Sequence, residues 1–340
     1  METKQLKIGV IGAGAWGTAL AMLLADKGYD VTMWAFEAEV VSGINERHEN
    51  ETFLKGITLP PNIRATGSMQ EACAGKDLIL TVTPSHVTRM VMRQAAPFLP
   101  EHTPIVSATK GIENDSLMTM NEVLEEVLPI KFHPYLAFLS GPSFAKEVAL
   151  HHPTAVAVAA YSETLAKQVQ QVFNHSWFRV YRSTDVVGME IGGSLKNVVA
   201  IAAGISDGMG FGHNSRAGII TRGLAEMSRV AVARGANPIT LAGLSGMGDL
   251  VLTCTGELSR NRTVGIQLGQ GKAIEEILGS MSAVAEGVKT AQSVHDLALK
   301  MKVDMPICEA VYQVIYERKT PQQALADLMG RELKRENFGF

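Results

Sequence analysis

A chain of 340 residues, 46% hydrophobic and 19% charged, carries enough apolar surface for two buried cores. Its net charge of −3 gives no electrostatic reason to expect nucleic acid or an anionic membrane as partner, and no run reads as long and apolar enough to span a bilayer. Cys73, Cys254 and Cys308 lie far apart without metal or redox spacing, so no metal is expected and the three read as small core residues in a reducing compartment. The first residues, Met1 to Lys7, mix lysines with an acid and lead directly into an apolar strand. That is unlike a secretory leader, and a cytoplasmic location is expected.

Leu6 to Ile11 is apolar and branched, a strand, and Ala15 to Lys27 reads as a helix closing at Gly28. Further strands follow at Val31 to Trp34, Leu78 to Val82, Ile105 to Ala108, Leu136 to Leu139, Ala155 to Ala159 and Phe178 to Tyr181. Helical stretches lie between most of them, at Val87 to Ala96, Met118 to Leu128 and Glu163 to Phe173. Alternation of this kind implies a doubly wound, mainly parallel sheet. Past Ser183 the strand signals stop. Helical periodicity takes over at Val187 to Ile205 and Asn214 to Arg234, then at Thr263 to Leu268, Ile274 to Met281, Gly287 to Met301, Cys308 to Arg318 and Pro321 to Met329. The expected class is α/β, with a dinucleotide-binding, Rossmann-type domain over residues 1–183 and an all-α substrate domain over 184–340. The charged residues after Gly330 read as a solvated end.

Three motifs carry chemistry. Gly12, Gly14 and Gly17 form Gly-x-Gly-x-x-Gly between a strand and a helix, the context a dinucleotide requires. Gly12 would allow the tight turn, Gly14 the approach of a pyrophosphate, and Gly17 the close packing of helix on strand. A ribose-binding acid belongs near the end of the second strand, about 20 residues on. There the chain reads Trp34-Ala35-Phe36-Glu37, with Glu37 one or two positions beyond the usual place and no arginine for a 2′-phosphate, so NAD and NADP both stay open. Lys110, before Gly111, and Ser143, after Gly141-Pro142, end later strands on the side that faces the ligand crevice. Ser143 is expected to cap a helix as well as line the site.

The second motif is Lys196, set among Ile191, Leu195, Val198, Val199 and Ile201. Such a lysine either snorkels to water from the edge of its helix or projects into a site, where burial would pull its pKa toward the working range and suit it to proton transfer. Gly192 and Gly193 would let a backbone or ligand approach. The third motif places Asp249 in a Gly-flanked turn and then Ser259-Arg260-Asn261-Arg262 directly before a helix-like run. Helix starts offer unpaired N–H groups and partial positive charge, and arginines grip phosphate, so the cluster fits a small dianion. A plain N-cap at Ser259 or Asn261 with solvated arginines explains it equally well.

Together these segments, with Gly193-Ser194-Leu195-Lys196-Asn197, Ser206-Asp207-Gly208, Thr221-Arg222-Gly223, Gly248-Asp249-Leu250 and Glu286-Gly287, resemble the bacterial NAD(P)-dependent sn-glycerol-3-phosphate dehydrogenase family almost from end to end. The resemblance implies reversible hydride transfer between NAD(P)H and dihydroxyacetone phosphate, with Lys196 as proton donor and acceptor. It implies glycerol phosphate contacts at Lys110, Gly141, Ser143 and Lys196, and further ones at Asp249, Ser259, Arg260 and Asn261. Cofactor contacts are implied at Ala15, Trp16, Phe36, Lys110 and Ala145, and at Arg260, Val284 and Glu286. Two positions depart from the family pattern. Ala15 lacks the hydroxyl of the serine often found there, and Phe36 replaces a basic or polar side chain and cannot pair with a 2′-phosphate. No ligand role is implied for Arg262. The family's product supplies the phospholipid backbone, which links the chain to membranes by metabolism and not by an anchor, and a homodimer through the second domain is compatible with the sequence. A β-hydroxyacid dehydrogenase, the nearest enzymatic alternative, often carries asparagine four residues after its lysine, where this chain has Ala200. A non-catalytic NAD(P)-responsive protein would tolerate loss of Lys196 or of the phosphate cluster, and both are present.

Overall fold

Eight strands form one sheet in the computed structural model, which describes residues 5–281, 285–333 and 335–336. They are β1 (Lys7–Ile11), β2 (Asp30–Trp34), β3 (Ile63–Thr66), β4 (Leu78–Thr81), β5 (Ile105–Ser107), β6 (Leu136–Ser140), β7 (Thr154–Ala160) and β8 (Phe178–Ser183), in the order β3-β2-β1-β4-β5-β6-β7-β8. The inner strands β4 and β6 are buried along their whole length, which is why they read as continuous apolar runs. Every neighbouring pair is parallel except β6 with β7, a departure from a wholly parallel sheet. The connection there holds only the five-residue helix Ala145–Ala149, too short to carry the chain back along the sheet. The edge strand β3 escaped the sequence pattern because it has four residues and one of them, Arg64, faces solvent.

The sheet is covered by α1 (Ala15–Asp26), α2 (Ala38–Arg47), α3 (Met69–Cys73), α4 (Ser85–Ala95), α5 (Met120–Val127), α6 (Ala145–Ala149) and α7 (Glu163–Phe173). The remaining helices are α8 (Val186–Gly208), α9 (His213–Ala233), α10 (Pro238–Leu241), α11 (Asp249–Thr255), α12 (Arg260–Gly269), α13 (Ile274–Gly279), α14 (Glu286–Met301), α15 (Pro306–Tyr316) and α16 (Pro321–Met329). The chain divides into two compact units, Met1–Lys110 with Met120–Val186, and Gly111–Thr119 with Val187–Phe340. The short segment Gly111–Thr119 therefore joins the helical unit, although chain order places it inside residues 1–183. Local bonds explain this: the Gly111 N–H donates to Ser194 Oγ at 3.1 Å, and Ser293 Oγ donates to Asn114 Oδ1 at 2.8 Å.

The helical unit is built around α8. By length and composition this helix could cross a bilayer, contrary to the expectation from the sequence, but 89% of its apolar stretch is buried within the fold, as in a core helix. It meets α12 backbone to backbone. A Cβ on Gly204 would lie 2.1 Å from the Arg262 carbonyl oxygen, and one on Gly265 would lie 2.1 Å from the Ile201 oxygen. Gly208 and Gly269 repeat the contact one turn on, against Ile266 and Ile205. Glycines spaced four apart share a helix face, so the two pairs form matching flat stripes.

All three cysteines are free and buried, and burial pushes Cys73 and Cys254 up to about 12, which fits their reading as inert core residues. A buried carboxylate elsewhere sets a pH response. Glu226 on α9 accepts from the Ile307 N–H at 2.7 Å and the Cys308 N–H at 3.1 Å, capping the first turn of α15 from a distance in sequence. Burial outweighs these two bonds and raises its pKa to about 7. A carboxyl whose pKa is raised on folding holds its proton in the folded state across a range where the unfolded chain has released it. The contribution of this one carboxyl to stability is therefore fully present below about pH 4.5 and is lost as pH rises through about 7, about 3 kcal/mol in all. Urea midpoints measured from pH 5 to 8 should show this slope, and Glu226→Gln should flatten it.

Candidate active site

In the sheet unit, the glycine turn takes the conformation its spacing predicts. Gly12 has φ +114°, and a Cβ there would sit 2.6 Å from the Val82 oxygen. A Cβ on Gly17 would lie 2.1 Å from the Gly12 oxygen, so helix and strand pack with no room for a side chain. Gly14 has no atom within 4 Å of such a Cβ, and it forms the N-cap of α1 without a side-chain cap. The turn thus leaves an open approach to the first N–H groups of α1, carried by Ala15 and Trp16, which are half-buried. A dinucleotide pyrophosphate fits this cradle. The Gly12 N–H donates to the Trp34 oxygen at 3.1 Å and sets the end of β2, with Phe36 beyond it, beside the turn.

At the ends of β5 and β6 the structure joins three predicted residues. Lys110 Nζ and Ser143 Oγ both donate to the Gly141 carbonyl, at 3.0 and 2.9 Å. Gly141 has φ +136°, and a Cβ there would meet the Val156 Cα at 2.9 Å, so only glycine holds this corner. Ser143 does not cap a helix as expected: α6 starts at Ala145 with Phe144 as N-cap, because the Ser143 hydroxyl is turned back to Gly141.

In the helical unit, Lys196 is buried at 7% exposure and does not snorkel. Its ammonium donates to Asp249 Oδ1 at 2.6 Å and to Thr253 Oγ1 at 2.9 Å. The Thr253 hydroxyl spends its own proton on the Asp249 carbonyl at 2.6 Å, so a lone pair faces the lysine. Asp249 opens α11 and does not sit in a loose turn; a π-helical turn, Leu244–Gly248, leads into it. Gly192 permits this arrangement, since a Cβ on it would strike the Ser245 oxygen at 2.5 Å. Thr253 was missed from sequence. Its spacing of four from Asp249 inside a helix was the available signal, hidden because no helix was read there.

The polar cluster after α11 is the first turn of α12, which begins at Arg260, three residues earlier than expected. Ser259 is the N-cap and accepts from the Arg262 N–H at 3.3 Å. Asn261 donates to Asn197 Oδ1 at 2.9 Å and accepts from the Gly287 N–H at 2.9 Å, which fixes its amide between α8 and the start of α14. Gly287 follows Glu286, the first residue of α14. The two arginines diverge. Arg260 is exposed, while Arg262 binds Asp207 Oδ2 through Nε at 2.8 Å, and Arg216 binds Oδ1 of the same carboxylate at 2.6 Å. Arg262 is therefore a tie between α8, α9 and α12. The predicted contact Val284 lies outside the described residues.

Two family models cover the chain: the NAD-dependent glycerol-3-phosphate dehydrogenase N-terminus over residues 7–166 and C-terminus over 185–326. The chain belongs to this family. A glycerol-3-phosphate dehydrogenase [NAD(P)+] of Citrifermentans bemidjiense is 57% identical over 330 residues, 97% of this chain and 98% of that one. Among solved structures, glycerol-3-phosphate dehydrogenase from Coxiella burnetii superposes with a TM-score of 0.91 at 38% identity, over 96% of this chain and 99% of its own. The corresponding Saccharomyces cerevisiae enzyme gives 0.80 at 30% identity, over 96% and 100%.

Proposed function

We propose that the chain reduces dihydroxyacetone phosphate to sn-glycerol 3-phosphate with NAD(P)H, reversibly, with Lys196 as proton donor and acceptor. The observation that carries this reading is a buried ammonium on α8 held by Asp249 and Thr253 of α11. The chemistry supplied by a bound nicotinamide is hydride transfer at the carbonyl carbon. Lys196 polarises the carbonyl oxygen and gives it a proton as negative charge develops there, and it takes the proton back in the oxidative direction. Asp249 and Thr253 hold the ammonium in one orientation, so little reorganisation accompanies the transfer.

The phosphate end is assigned to the start of α12. Arg260 offers an exposed guanidinium, the backbone N–H groups of Arg260 and Asn261 lack intrahelical partners, the Arg262 N–H being taken by Ser259, and the Asn261 amide, oriented by Asn197 and Gly287, keeps one N–H available. Ser259, Lys110, Gly141 and Ser143 complete the proposed substrate contacts. The proposed cofactor contacts are Gly12, Gly14, Ala15, Trp16, Gly17, Phe36, Lys110, Ala145, Arg260, Val284 and Glu286. The reading extends to a cytoplasmic enzyme that supplies glycerol phosphate for phospholipid synthesis and pairs through its helical unit. Oxidation of NADH or NADPH, followed at 340 nm with dihydroxyacetone phosphate and with 2- and 3-keto acids, tests the core of it. Turnover on the phosphate substrate alone is expected; preference for a keto acid would overturn the assignment.

A further inference from the structure

The turns that follow β2 and β3 lie side by side: the Ala35 N–H donates to the Thr66 oxygen at 3.1 Å, and Trp34 Nε1 donates to the Gly67 oxygen at 3.2 Å. Because Gly12 bonds to Trp34, these turns flank the glycine cradle where the adenosine ribose of a dinucleotide arrives. Residues 35–39 and 67–71 carry Glu37, Glu39 and Glu71 and no lysine or arginine. Glu71 is engaged by Thr66 Oγ1 at 2.8 Å. Glu37 is the N-cap residue of α2 but does not cap it, and its carboxylate has no hydrogen bond or ion pair among the described residues. Phe36 stands 83% exposed between β2 and that carboxylate, a bare aromatic face at the turn. The basic side chains of the flanking elements are directed elsewhere, Arg47 to Glu51 at 3.7 Å and Arg64 Nε to Thr32 Oγ1 at 3.3 Å.

We infer that this chain selects NADH over NADPH, with Glu37 accepting from the ribose hydroxyls and Phe36 stacking on the adenine. A 2′-phosphate brings nearly two negative charges to a turn that holds unneutralised carboxylates and no guanidinium or ammonium to grip it. A free 2′-hydroxyl is a donor, which is what an unpartnered carboxylate accepts. An aromatic face receives the adenine ring without regard to the ribose substituent. The absence of the usual acid at the strand end is thereby made good two positions later.

The inference rests on the dehydrogenase reading, but its test does not need turnover. Dissociation constants for NADH and NADPH, from cofactor fluorescence without substrate, should differ at least tenfold in favour of NADH, with the same ordering in kcat/KM. The gap should narrow as salt is raised from 20 to 500 mM, because like-charge repulsion is screened. Phe36→Arg should tighten NADPH at least tenfold and reverse its salt response, whereas Glu37→Gln should weaken NADH and tighten NADPH. NADPH binding equal to or tighter than NADH in the unaltered protein overturns the inference, whatever the variants do. Loss of activity on dihydroxyacetone phosphate with both cofactors would instead strike the reaction assignment and leave the binding ratio intact.

Discussion

Lys196→Met is expected to lower kcat for dihydroxyacetone phosphate reduction by about 10²–10⁴-fold, the usual contribution of a positioned general acid, with NADH still bound. The same change removes the counter-charge of Asp249, which is only 1% exposed, and should cost about 3–5 kcal/mol of stability. The two effects are separable. Adding Asp249→Asn removes the stranded charge, so the double variant should recover much of the lost stability and none of the lost rate. Steady-state kinetics and urea midpoints on both proteins decide the matter. Near-normal turnover in either would show that the buried ammonium is structural.

Gly265→Ala should be the most damaging small change elsewhere. The added methyl would lie 2.1 Å from the Ile201 oxygen and 2.8 Å from the Ile205 N, both backbone atoms of α8 that cannot move without separating the helices. A loss of about 3 kcal/mol or more is expected, roughly 6–12 °C in melting temperature. Because α12 also carries Arg260 and Asn261, KM for the phosphate substrate should rise in whatever protein folds. Gly218 on α9 provides the contrast. It is exposed, with nothing within 4 Å of a Cβ, so Gly218→Ala should be neutral or stabilising by up to about 1 kcal/mol. Equal melting temperatures for the two variants would refute the close crossing.

The glycine turn was legible in the sequence because its determinants are local. A positive φ at Gly12 and the contact of Gly17 with the Gly12 oxygen involve atoms a few residues apart, and spacing fixes them. Long periodic helices such as α7, Glu163–Phe173, and α16, Pro321–Met329, were equally plain. Short elements were not. β3 has too few residues to display an alternation, and α11 is masked by the glycines before it. The stripes Gly204/Gly208 and Gly265/Gly269 could have been noticed by their spacing, but spacing does not say which helix lies opposite.

The sequence by itself determined the fold class and the glycine cradle, which follow from periodicity and backbone freedom, and it singled out Lys196 as an ammonium placed in an apolar run. Only the tertiary structure decided partners. It gave Lys196 to Asp249 and Thr253, bound Arg262 to Asp207 and left Arg260 exposed, and turned the Ser143 hydroxyl back to Gly141. The Lys196, Arg262 and Ser143 bonds run 53 and 57, 55, and two residues along the chain. A charge or hydroxyl in a sequence states what it can bind. Which of several chemically equal partners it meets depends on how helices and strands pack, and that is a property of the whole core.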